Sequence, residues 1–89
     1  MKRFWVEFNP AVVKQHSWAL QLGCGVTAYD RADAEALLRE HIFREHPMPP
    51  ITQCIEDVDI RDLDQGHVIP NMHASNWRGI WFPQGFTAY

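Results

Sequence analysis

The chain has little of several things, and each shortage excludes a class of protein. No apolar run approaches the roughly 20 residues that a membrane-spanning helix needs, so no membrane partner is expected. The opening MKRFWVEFNP has neither the apolar core nor the small-residue cleavage site of a secretory signal, which sets the expectation of a cytoplasmic protein. Cysteine occurs only at Cys24 and Cys54, and in a reducing compartment two isolated thiols are expected to be free and inert rather than crosslinked. Basic residues are few: eight Lys and Arg against eleven Asp and Glu, a net charge of −3. Without a basic patch the chain lacks the phosphate contacts that dominate nucleic-acid affinity, so no nucleic-acid partner is expected. There is no internal repeat, low-complexity tract or second composition regime.

What is present is a core. Hydrophobic residues make up 46% of the 89, with four Trp and five Phe among them, enough for one folded domain spanning 1–89. The acidity is local. EDVDIRDLD (56–64) carries Glu56, Asp57, Asp59, Asp62 and Asp64 against Arg61 alone, while the rest of the chain is nearly balanced.

Period-2 alternation in RFWVEF (3–8) predicts a half-buried strand with Phe4, Val6 and Phe8 on one side. Asn9-Pro10 opens a connector. WALQLGCGVTAY alternates again and predicts a long second strand with Trp18, Leu20, Leu22, Cys24 and Val26 on one face. In it, Gly23 and Gly25 mark a bulge or a close approach of backbone. The period then changes: DRADAEALLREHIFREH predicts a helix capped by Asp30, with a stripe of Ala34, Leu37, Leu38 and His41 and i,i+4 pairs Glu35–Arg39 and Glu40–Arg44, stopped by PMPP. His41 is expected to sit at the edge of the core. A third strand is expected over 51–60, a long irregular connection after it, and a short fourth strand over 77–82. The order strand–strand–helix–strand–strand predicts an α+β domain with one helix packed on a mostly antiparallel sheet. The other sheet face must then be polar, covered by the long connection, or used by a partner.

Several chemistries are suggested by short motifs and fail on spacing. GCGVTA mimics G-x-G-x-x-A, but four residues separate its glycines from the helix cap, too far for a pyrophosphate on the helix N-terminus. The acids before Gly66 suggest a calcium loop, but the fifth position counted from Asp57 is Arg61, and the twelfth from Asp62 is His73. GHVIPNMHASN is similar to the opening of a ββα-metal nuclease, yet no downstream histidine or helix completes the ligand set. His67, His73, Cys54 and Cys24 form no C-x-x-C or H-x3-H pair to anchor zinc. Neither cysteine stands beside a base that would lower its pKa. No metal, cofactor or catalytic residue is therefore expected, and the histidines are expected to hold the loop. A competing enzymatic or small-ligand reading would gather His67, Asn71, His73 and Arg78 in a concave pocket.

GVTAYDRADAEALLRE, IEDVDIRDLDQGHVIPNM and RGIWFP together resemble a group of small uncharacterised bacterial cytosolic proteins, over about residues 20–83. That resemblance extends to immunity proteins of type VI or polymorphic toxins. It implies a non-catalytic inhibitor that occludes a toxin's active site, and it carries over no catalytic residue. On this reading the partner is a cognate toxin with a basic surface, steered by Asp57, Asp59, Asp62 and Asp64 and contacted by Trp77, Arg78 and Trp81. Asp57 and Asp59, two apart on a strand, would show paired charges on one face. Arg78 has a second expectation, as a bidentate clamp on Asp62 or Asp64. The C-terminal aromatics Trp77, Trp81, Phe82 and Phe86 could cover the core or form an apolar patch with Trp5, and a homodimer through an open sheet face is a further possible assembly.

Overall fold

The alternating pattern at the start of the chain forms β1, Lys2–Phe8, and this strand lies inside the sheet with a neighbour on each side. The computed structural model describes residues 1–13, 18–44 and 47–83; the rest of the connector at 14–17, residues 45–46 and Phe86 lie outside the described residues, as does the facing of the Trp18 side chain. The helix expected to run to the prolines ends earlier, at His41 with its C-cap at Ile42. After β1 the chain forms one helical turn, α1 (Pro10–Val13), which Asn9 starts by accepting from the Ala11 backbone through its side chain. A short 3-10 helix follows at Trp18–Gln21, then β2 (Cys24–Ala28), α2 (Arg31–His41), β3 (Ile51–Glu56) and β4 (Gly79–Phe82). The sheet has the order β3-β1-β2-β4, antiparallel throughout. The fold is the expected α+β domain with α2 across one sheet face.

Helix α2 begins where its sequence says it should. Asp30 is extended and accepts from the Asp33 backbone N–H at 2.8 Å, and Asp33 reaches back to accept from the Tyr29 N–H at 3.0 Å. One orphan donor of the helix start, the Asp33 N–H, and the N–H of the residue before the cap are thereby satisfied by two side chains. Ala34, Leu37 and Leu38 are buried against Phe4, Val6, Phe8, Val26 and Ile80, with Ile42 packed at the margin. His41 is half-buried, at the edge of the core as its place in the stripe implies.

The second sheet face is closed by the chain itself. Trp5, Trp81 and Phe82 meet Val58, Leu63 and Val68 from the long connection, with Leu22, Ile60, Ile69 and Met72 packed around them. The connection is held by two short 3-10 helices, Ile60–Asp62 and Ile69–Asn71. The premise of an open face, on which a homodimer would rest, is met instead by residues 58–72. A domain this small gains a second apolar layer without a second long helix, because one irregular segment supplies five aliphatic side chains and a methionine.

Three strand expectations change. β2 begins only at Cys24, because the residues before it form a 3-10 helix and Gly23 has φ +130°. β3 ends at Glu56, because Asp57 takes a left-handed φ of 61° that no strand residue can hold. Asp57 and Asp59 therefore do not share a strand face. β4 contains a bulge: Val26 pairs with Ile80 and Gly25 with Phe82, so Trp81 is the extra residue. The bulge turns Phe82 onto the same face as Trp81, and only Ile80 joins the helix-side core.

The two glycines of GCG are explained by the tryptophans of that second layer. A Cβ on Gly25 would lie 2.3 Å from the Trp81 ring, and one on Gly23 would lie 2.7 Å from the Trp5 ring. Trp5 and Trp81 are themselves 6.1 Å apart between ring centroids, each lying over one of the glycine positions. The close backbone approach expected of these glycines is what the fold contains, and the bulge lies on the neighbouring strand.

Candidate functional site

Trp81 stands among the expected contact residues, but its side chain is 0% exposed in the second core layer, so it is no surface contact. It points away from Ile80 by strand alternation, over Gly25, and is buried because Val58, Leu63 and Val68 cover that face. Trp77, which precedes β4 rather than belonging to it, is 62% exposed. Tyr29, which follows β2 just before the helix cap, is 67% exposed. With Met1 and Arg78 these two aromatics line a predominantly apolar groove of about 480 Å³.

Arg78 is pinned, though not to the acidic run. Its Nε and Nη2 donate to the two carboxylate oxygens of Asp33 at 3.0 and 2.5 Å, and its guanidinium carbon lies 5.6 Å from the Tyr29 ring centroid. The bidentate clamp expected on Asp62 or Asp64 forms instead on the first turn of α2, 45 residues earlier in the chain. Arg78 holds the Asp33 carboxyl below its usual range, helped by the Tyr29 N–H. The result ties the lead-in of β4 to the helix N-terminus and fixes one wall of the groove.

The acidic run divides into structural and free carboxylates. Asp59 accepts from the Arg61 N–H at 2.9 Å and from its guanidinium at 3.1 and 2.8 Å, which caps the first 3-10 helix of the connection. Arg61 holds the Asp59 carboxyl down at about 2. Asp64 accepts from the backbones of Gly66 and His67 at 2.8 and 3.0 Å and meets His67 Nδ1 at 3.1 Å. Those bonds, Gly66 first, lower its pKa. Asp57 and Asp62 are exposed, and among the described residues neither has a hydrogen bond or ion pair. Asp57 lines a second, polar cleft of about 300 Å³ with Arg3, Thr27, Ser75 and Asn76, and Met1 forms part of both walls. The aromatic groove and the free acid are thus neighbours.

The residues of the competing pocket are placed otherwise. Asn71 Nδ2 donates to the His67 carbonyl at 2.8 Å within the loop, the His73 N–H donates to the Trp81 carbonyl at 2.7 Å, and Arg78 faces α2. His67 and Asn71 bond within their own loop. Among the described residues no group of three or more His, Cys, Asp or Glu side chains could hold a metal ion, and no helix is long and apolar enough to cross a membrane. Cys24 is buried and Cys54 half-buried, both free, and burial pushes both thiols up, away from the thiolate a nucleophile needs.

Tyr29, Met1 and Arg3 were not singled out by the sequence pattern. Tyr29 ends an alternating run and could be read as the last strand residue; only the end of β2 at Ala28 turns it to solvent. Set against protein-family models, curated proteins and solved structures, the chain matches none.

Proposed function

We propose that the protein is a non-catalytic binding module, an immunity protein that holds and neutralises a cognate bacterial toxin in the cytoplasm. The observation that carries this reading is the exposed Tyr29–Trp77 groove beside the unpaired Asp57. Exposed tryptophan and tyrosine next to fixed charge is the composition of an interface hot spot, and over β1, β2 and β4 both sheet faces are packed by the chain's own residues. The partner is a protein with a basic surface: the chain is at −3, and among the described residues Asp57 and Asp62 retain carboxylates that no ion pair neutralises. Asp59 and Asp64 contribute to the field while serving mainly as turn caps. The resemblance of the GVTAY, HVIPNM and RGIWFP segments to immunity proteins of type VI or polymorphic toxins supports the toxin as the partner class.

Co-expression with the product of a neighbouring toxin-like reading frame tests the reading. The expected result is a stable complex and rescue of growth. A chain that neither captures that product nor protects cells from it overturns the proposal. In the complex, Trp77→Ala weakens capture by about tenfold or more, in line with loss of an aromatic anchor, while leaving the unfolding curve unchanged.

A further inference from the structure

We propose that the polar cleft between Arg3 and Asp57 binds the charged head of a free α-amino acid, whose apolar side chain enters the Tyr29–Trp77 groove. Such a site shares the Tyr29–Trp77 groove and Asp57 with the proposed toxin-docking surface, but its binding is read on the chain alone and does not depend on a toxin.

The backbone builds the cleft. Phe4 pairs with Glu56, and the Val58 N–H donates to the Arg3 carbonyl at 3.0 Å, so the chain turns over β1 at Asp57. That turn requires the left-handed φ of 61° at Asp57, a conformation that glycine adopts freely and an acidic residue holds at a cost. The carboxylate is thereby set in the same cleft as Arg3, Ser75 and Asn76. Nearby, Lys2 pairs with Glu56 and Arg61 with Asp59, while Lys2 also lies in the field of Asp57 and Arg3 in that of Asp59. Arg3 donates only through Nε, to Ser75 Oγ at 3.1 Å, and Asp57 accepts from no described residue.

One cationic and one anionic side chain, Arg3 and Asp57, therefore line the same cleft without forming an ion pair with each other, and Met1 lines it beside them. A simple cation would satisfy Asp57 and be repelled by Arg3, and a simple anion the reverse. A zwitterion satisfies both, its ammonium on Asp57 and its carboxylate on Arg3, each through charge-assisted hydrogen bonds. The adjoining groove is apolar and ringed by Met1, Tyr29 and Trp77, which suits an aromatic or long aliphatic side chain. Its wall is held in place by the Arg78–Asp33 clamp. The cleft and groove, about 300 and 480 Å³, fall within the size range of small-ligand sites.

The test is an NMR titration of the full chain with L-phenylalanine, N-acetyl-L-phenylalanine and L-phenylalaninamide. L-phenylalanine should move the amides of Arg3, Asp57 and Asn76 and the Trp77 indole, and blocking either charge should weaken binding by about tenfold or more. Asp57→Asn, which tolerates the left-handed backbone, should weaken the free amino acid and the amide but not the N-acetyl form. Arg3→Gln should show the opposite selectivity. Equal binding of all three ligands, or no shift at saturating L-phenylalanine, overturns the proposal. The blocked ligands make that distinction on the unaltered protein, whether or not either variant folds. Toxin capture is scored separately, so failure of one reading is distinguishable from failure of the other.

Discussion

Gly25 illustrates how single positions set this fold. Its missing side chain is the space that the Trp81 ring occupies, and any Cβ there would overlap the ring at 2.3 Å. Gly25→Ala is expected to destabilise the domain by about 3 kcal/mol, the upper range for overpacking a well-filled core, measured by denaturant unfolding. A cost under about 0.5 kcal/mol would mean that the ring moves freely, contrary to its full burial. Trp81 also carries a buried indole N–H with no hydrogen-bond partner among the described residues. Trp81→Phe gives up ring area but removes that unpaired donor, so it should cost clearly less than Trp81→Ala, for which about 3–5 kcal/mol is expected. Trp77→Ala is the control on the same residue type. At 62% exposure it should change stability by no more than about 0.5 kcal/mol.

At the scale of elements, carboxylates do more as turn-makers than as surface charge. Asp33 joins the start of α2 to the lead-in of β4, and Asp59 and Asp64 close the turns that lay the connection over Trp5 and Trp81. Asp33 and Asp59 are lowered chiefly by arginine bonds and Asp64 chiefly by a backbone N–H, so each titrates lower in the folded chain than in the unfolded one. The stability they contribute is then fully present above the unfolded carboxylate value near about 4 and is lost as pH falls through it toward about 2. Unfolding followed across that window should show a falling midpoint, and Asp59→Asn with Asp64→Asn should flatten the fall. Because these groups are exposed, added salt should shrink the effect. A pH-independent midpoint in the double variant and the parent alike would remove these carboxylates from the stability of the loop.

For the molecule as a whole, the free acids and the aromatic groove make separate predictions about a complex. Asp57→Lys with Asp62→Lys should slow association with a basic partner, most at low salt, because these two carboxylates act through the long-range field. Trp77→Ala should instead speed dissociation. Stopped-flow or surface-based kinetics separate the two, and an unchanged association rate in the charge-reversed variant would exclude steering by the acidic turns. Much of the architecture behind these predictions was legible locally. The Asp30 cap, the Ala34–Leu37–Leu38 stripe and the period-2 runs around Phe4 and Ile80 each declare themselves within a few residues. The surface was less so. Arg78 could be seen to need a carboxylate, but six acids outside the run were candidates and the one it meets is 45 residues away.

What the sequence by itself determined is the order of the four strands and the long helix, because helix caps and hydrophobic period act over one or two turns of chain. It left the glycines of GCG as a bulge or a close approach, and the tryptophan rings over them decided for the approach. Which partner each group meets was decided by the tertiary structure. Phe82 joins Trp81 rather than Ile80 because β4 bulges where its pairing passes from Val26 to Gly25, and Trp77 stays on the surface because it precedes the strand. Asp57 ends β3 and stands free in a cleft because the chain must turn there over β1. The long connection covers the second sheet face because Val58, Leu63 and Val68 find Trp5, Trp81 and Phe82 across it, a match that exists only once the strands are paired.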